Sequence, residues 1–149
     1  MMRTYSLKPS SINRQWHVID ASEASLGRTA AKAAALLIGK HKPVQSPHID
    51  GGDYVVIINS DKLQVTGNKE QDKLYRRHSG YPGGLKETPL KDLSAQNSAE
   101  IIRRAVRGML PVNKLRKGRL DRLKIYTGSE HPHHGQAGGQ KPVDKKGGE

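Results

Sequence analysis

Four consecutive β-branched residues, Val55-Val56-Ile57-Ile58, lie between Asp53-Tyr54 on one side and Asn59 on the other, and they constrain this chain more than any other stretch. Side chains alternate faces along a strand, so an uninterrupted apolar run needs apolar partners on both sides. Such a strand belongs inside a sheet, and a parallel neighbour requires a crossover connection. Trp16-His17-Val18-Ile19-Asp20 reads as that neighbour. Ser25 is placed to cap a helix running to about Ile38, in which Leu26, Ala30, Ala33 and Leu37 recur at helical spacing. Gly39 is placed to end it in a left-handed C-cap. Prolines, glycines and lysines from Lys40 to Gly52 make a loop back to the buried strand. Strand, helix, loop and strand form a βαβ unit with an expected right-handed crossover, and the fold class is α/β.

The remaining elements are shorter. Leu63 and Val65 alternate with polar residues and predict a strand that stops at Thr66-Gly67-Asn68. Leu74–His78 is expected to extend into solvent, with Ser79–Gly84 as a loop and a short helix near Pro89–Ala95. Asn97 with Glu100 resembles a capping box. It opens a helix with Ile102, Ala105, Val106 and Met109 on one face and Arg103 and Arg107 on the other. Glu100 can pair with Arg104 one turn on. Pro111 ends that helix, Val112–Arg122 is expected as a basic loop, and Leu123–Tyr126 as the last strand. The organisation expected is an extended basic arm over 1–14, one α/β domain over 15–127, and a flexible Gly/His-rich tail over 128–149.

Charge says most about function. The net charge is +12 and the pI about 10.1. Between Ile101 and Ile125 stand Arg103, Arg104, Arg107, Lys114, Arg116, Lys117, Arg119, Arg122 and Lys124, with Asp121 the lone acid; nine minus one is +8 of the total. Like charges packed this densely repel, and a polyphosphate relieves the repulsion while releasing counterions. A second cluster, Lys69, Lys73, Arg76, Arg77 and His78, leads into Ser79-Gly80-Tyr81-Pro82-Gly83-Gly84 and Lys86, where glycines admit a phosphate and Tyr81 can stack on a base. A third is Lys40-His41-Lys42 with His48, where cations also offset a helix dipole. Arg28 points away from the apolar stripe of the first helix. The chain lacks helix-turn-helix and zinc-finger patterns and the aromatics of a single-strand binder, so structured RNA read by shape and phosphate is the expected partner.

Other chemistries find little. There is no cysteine, which excludes disulfides, thiolate chemistry and Cys-based zinc sites. His131, His133 and His134 lack the partners of a metal site. No G-x-S-x-G, H-E-x-x-H or Walker pattern is present. Asp20, Asp50, Asp53 and Asp61 could sit at strand ends, where turn and capping roles account for Asp20 and Asp53. No enzyme activity, metal, cofactor, small-molecule substrate or membrane partner is expected. The N-terminus shows no signal peptide and no apolar run could span a bilayer, which suggests a soluble intracellular protein.

Arg14-x-Trp16-x-Val18-x-Asp20-Ala21, Leu26-Gly27-Arg28, Gly39-Lys40-His41-Lys42-Pro43 and Pro47-His48-x-Asp50-x-Gly52-Asp53 resemble the bacterial-type large-subunit ribosomal protein thirteen family. So do Asn59-x-x-Lys62, Thr66-Gly67-Asn68-Lys69, Lys73-x-Tyr75-x-x-His78-Ser79-Gly80-Tyr81-Pro82-Gly83-Gly84-Leu85-Lys86, Val106-x-Gly108-Met109-Leu110-Pro111 and Glu130-His131-Pro132-His133. The resemblance implies a three-layer sandwich with a mainly parallel four-stranded sheet. It also implies a structural constituent of the large ribosomal subunit, bound early in assembly to ribosomal RNA beside neighbouring ribosomal proteins, in cytoplasmic or organellar ribosomes. The His78–Gly84 loop, the Lys40–Lys42 turn and the basic stretch after Pro111 would be RNA contacts. The alternative is a regulatory module acting on messenger RNA. The sequence departs from the family at Leu115-Arg116-Lys117, at Gln136-Ala137-Gly138-Gly139, and at Thr29, where Leu is usual.

Overall fold

A computed structural model describes residues 6–138, and in it the run Val55–Ile58 is the middle of a sheet. The elements in chain order are β1 (Trp16–Asp20), α1 (Leu26–Ile38), β2 (Tyr54–Ile58), α2 (Lys69–Asp72), β3 (Leu74–His78), β4 (Leu85–Pro89), α3 (Leu90–Met109), α4 (Leu115–Asp121) and β5 (Leu123–Ile125). β2 pairs in parallel with β1, Trp16 opposite Tyr54, and with β5, Val55 opposite Leu123. Val55 and Ile57 face α1 and α3, packing with Ala33, Leu37, Ile102 and Val106. Val56 and Ile58 face the other way, onto Val18, Ala137, Trp16 and Tyr126. The absence of any polar residue in the run follows from this double burial.

Gly39 ends α1 at φ 86°, its N–H donating to Leu36 O while the Lys40 N–H reaches Ala35 O, a Schellman closure. Ser25 marks the helix start, but its side chain makes no capping bond; the Thr29 N–H takes the Ser25 carbonyl instead. Thr29 is itself buried and donates its hydroxyl to Ala24 O. The helix expected near Pro89–Ala95 and the one after Asn97 form a single α3 kinked at Asn97 (φ −156°), where Asn97 Oδ1 accepts the Glu100 N–H at 3.2 Å.

Four expectations are corrected. The main sheet has three parallel strands, not four, and β3 and β4 form a separate antiparallel hairpin. The strand expected at Leu63–Val65 is one isolated bridge between Gln64 and Ser25. Asn59, at φ 56°, turns the chain into a 3-10 turn over Ser60–Lys62 and carries it off the sheet before pairing can continue. The stretch Val112–Arg122 is not a loop, because Leu115–Asp121 forms α4. Part of the expected tail is also packed: Ala137 is 4% exposed against the second face of the sheet. The rest of that tail lies outside the described residues. No helix among the described residues is long and apolar enough to cross a membrane.

Candidate nucleic-acid interface

Two carboxylates, Asp53 buried and Asp50 partly buried, sort the basic side chains into internal and external ones. Asp53, at the entry to β2, is 0% exposed. Its Oδ2 meets His17 Nε2 at 2.9 Å and His41 Nε2 at 2.8 Å, and its Oδ1 accepts Lys42 Nζ and, at 3.1 Å, the Gln15 N–H. Burial pushes this carboxyl up, but the hydrogen bonds from Lys42, His17 and the Gln15 amide outweigh it and hold it below the usual carboxylate range. Lys42 Nζ also reaches Asn13 O at 2.7 Å and Gly51 O at 3.1 Å, fastening the N-terminal arm to the loop before β2.

Asp50 holds a second hub. Arg122 donates to it through Nη1 at 2.6 Å and Nη2 at 2.8 Å, and Arg119 Nε lies 3.4 Å away. Burial again acts upwards, and the hydrogen bonds and charge of Arg122, with the charge of Arg119, bring the carboxyl below its usual value. Arg122 continues to Leu37 O, so the end of α1, the loop before β2 and the end of α4 are tied at one point. Asp20 plays the turn role expected of it, accepting from the Ser22 amide and hydroxyl and from Asn59.

These hubs engage several residues of the expected contact set in bonds within the fold. Arg119, expected on the surface, is 3% exposed and belongs to the fold. His41 and Lys42 are half engaged with Asp53, while Lys40 and His48 stand exposed. Arg116 donates to Leu110 O at 2.8 Å and Pro111 O at 3.0 Å, bracing the turn into α4.

The cations outside the two carboxylate hubs converge in two places. Arg103, Arg104 and Arg107 of α3 face Lys114, Arg116 and Lys117 at the start of α4 across a cleft of about 480 Å³, with Glu100 and Asp121 its acids. Buried Ile101, Ile102 and Val106 fix α3, so the outward arginines are held in register. Arg104 is additionally bound to Glu100 at 2.8 Å and lies 5.2 Å from the Tyr75 ring centroid. The second place is the mouth of the β3–β4 hairpin, where Arg77, His78, Ser79, Gly84 and Lys86 surround a concavity. Tyr81 at its tip is 76% exposed. The loop amides that could cradle a phosphate are partly spent: Ser79 N–H goes to Gly84 O, Gly80 N–H to His78 Nδ1, and Gly84 N–H to Tyr81 O. Gly80 (φ 92°) and Gly83 (φ 72°) permit that closed turn. Lys69 and Lys73 line a different groove, between the start of α1 and α3. Arg28 is exposed on α1 and Lys124 half-buried on β5, neither belonging to a cluster.

Among the described residues, His17, His41 and Asp53 are the groups whose ligand atoms come close enough for a metal, within 4.8 Å of one another. A cation there would compete with the Lys42 ammonium on the same carboxylate. His131, His133 and His134 serve packing: His133 Nε2 lies 2.9 Å from Tyr126 Oη, and its ring stacks on Trp16 at 4.9 Å.

The sequence matches the family model of ribosomal protein L13 over residues 14–132. The chain belongs to the ribosomal protein L13 family. It is 54% identical over 142 residues to the large ribosomal subunit protein uL13 of Thermobifida fusca, covering 95% of this chain and 93% of that protein. The protein of the same name from Salinispora arenicola is 56% identical over 142 residues, with 95% and 94% covered. That from Alcanivorax borkumensis is 53% identical over 135 residues, with 91% and 95% covered. The L13 match includes both carboxylate hubs, the hairpin and the two helices of the basic cleft.

Proposed function

We propose that this L13-family chain is a structural, non-enzymatic constituent of the large ribosomal subunit that grips ribosomal RNA by its phosphates and helps the subunit assemble. The relatives carry the name of a large-subunit protein, and the chain spans nearly their whole length. The observation that carries the RNA reading is the cleft between α3 and α4, where six bases and two acids meet on rigid helices. Fixed guanidinium forks suit phosphate oxygens, and helices pinned by buried aliphatics hold them there before the ligand arrives. Met109 and Val112 are exposed, the latter 88% exposed, and offer apolar contact to a neighbouring protein.

The test is competitive assembly. Wild-type protein and R103A/R107A/K117A, each isotopically marked, are mixed with large-subunit RNA and the remaining subunit proteins. The variant is expected to enter particles at least tenfold less well, with a melting temperature at low salt no lower than that of wild type. Equal incorporation would defeat the reading. Recovery of the wild type only in the soluble pool, bound to messenger RNA, would favour the regulatory alternative.

A further inference from the structure

The register of the hairpin places Arg77 of β3 directly opposite Lys86 of β4. Opposed residues of an antiparallel pair share a face with Cβ atoms about 5 Å apart, and like charges so placed destabilise the pair. Both side chains are exposed, and neither has an acidic partner among the described residues. The hairpin has little to offset this: Leu74 and Leu85 are themselves exposed, and an isolated two-stranded ribbon is marginal in water. Its other face is arranged differently. There Arg76 opposes Glu87, and Arg76 Nε lies 2.6 Å from Glu87 Oε1. One face is neutralised internally; the other keeps two facing cations at the rim of a concavity closed by Ser79 and Gly84. On the charged face the ribbon is steadied at its base by Tyr75, whose ring takes Lys73 and Arg104 at 5.3 and 5.2 Å.

We propose that Arg77 and Lys86 form a clamp that closes on one phosphate of the RNA backbone, the guanidinium engaging its non-bridging oxygens and the ammonium acting as a point charge. The clamp rests on the RNA-binding reading for its ligand. The unfavourable cross-strand pair is its own evidence, because that repulsion exists in the free protein and a shared anion removes it.

Two measurements test it. In the first, the affinity for protein-free large-subunit RNA is followed against salt for wild type, R77A, K86A and R77A/K86A. A shared phosphate predicts that either single change lowers the log–log slope by about 0.7–0.9 and that the double change lowers it by no more than that. Losses that add in the double variant mean two separate phosphates and overturn the clamp; so do three unchanged slopes. A flat wild-type plot is a different failure, since it removes the RNA reading itself. In the second, K86E is examined without RNA. The introduced carboxylate faces Arg77, so hairpin amides over 74–78 and 85–89 are expected to exchange about two- to fivefold more slowly than in wild type. Affinity for the RNA falls at least tenfold. Amides of β1, β2 and β5 serve as the internal control. Exchange that is unchanged or faster in the hairpin overturns the claim that the wild-type pair is strained.

Discussion

Asp50 and Asp53 show at the level of single residues how a chain of net charge +12 offsets the cations in its interior. Asp50 faces the Arg119 and Arg122 guanidiniums, and Asp53 faces the Lys42 ammonium and the His17 and His41 imidazoles, so removing either carboxylate leaves these groups without their acceptor in a partly dry site. Asp53→Asn is expected to destabilise by about 2 kcal/mol, less than the ~3–5 kcal/mol of a wholly buried pair, because His41 and Lys42 keep some hydration. Equilibrium urea unfolding at neutral pH measures it. The pH dependence has a definite sign. Both carboxyls lie below their ordinary value in the folded protein, so the folded state binds fewer protons than the unfolded one. Their contribution is present above about pH 4 and is lost as the pH falls through the folded values. D50N/D53N should flatten the acid limb of the stability curve, and a limb of unchanged steepness would contradict this. Gly52 gives a steric counterpart: a Cβ built there would lie 1.8 Å from Leu37 O. Gly52→Ala is expected to displace the Asp50–Asp53 loop and lower stability by about 3 kcal/mol.

At the scale of elements, what could be read in the sequence was what local chemistry decides. The Val55–Ile58 run, the Gly39 cap and the Asn97 cap each rest on a few adjacent residues, and each is found where expected. What was missed depends on distant partners. β4, Leu-Lys-Glu-Thr-Pro, has no apolar period and is a strand only because β3 pairs with it. α4 lays Leu120 on the core but lacks an apolar stripe, and Arg119 and Arg122 anchor it further by reaching Asp50, some seventy residues earlier. The same arginines made the segment look like a free basic loop. The segment after β5 was misleading in the opposite way: few apolar residues suggested disorder, yet Ala137 and a stack of imidazoles dock on Trp16 and Tyr126. Burial and the neighbouring His134 and His133 push the His131 imidazole below its ordinary value, so docking disfavours its protonation. Lowering the pH from about 8 to about 5.5 should therefore loosen residues 131–138. Trp16 is the sole tryptophan, and its emission reports the change directly. H131Q should remove most of the response; a signal independent of pH in the wild type would refute the docking argument.

For the whole molecule, the partition between neutralised interior and uncompensated exterior predicts that salt acts with opposite signs on folding and on binding. The internal pairs are short, shielded by burial and little screened by ions. The exterior clusters face one another across open clefts, and their repulsion is screened within about 10 Å at 0.1 M salt. Added salt should therefore raise the melting temperature of the free protein. The same ions compete for phosphates, so affinity for large-subunit RNA should fall with a log–log slope of about −4 to −5 if roughly six phosphates are engaged. Charge removal should divide along the same line. R103A/R107A/K117A should reduce the salt sensitivity of both quantities while leaving the protein at least as stable at low salt, since it relieves self-repulsion. R119A should leave the binding slope nearly unchanged and lower the melting temperature at every salt concentration. The decisive comparison is thermal unfolding of the two variants beside wild type in low and high salt. If R119A behaved as a binding variant and the triple variant as a folding one, the assignment of internal and external cations would be inverted, and the surface through which this chain meets RNA would have to be sought elsewhere on the molecule.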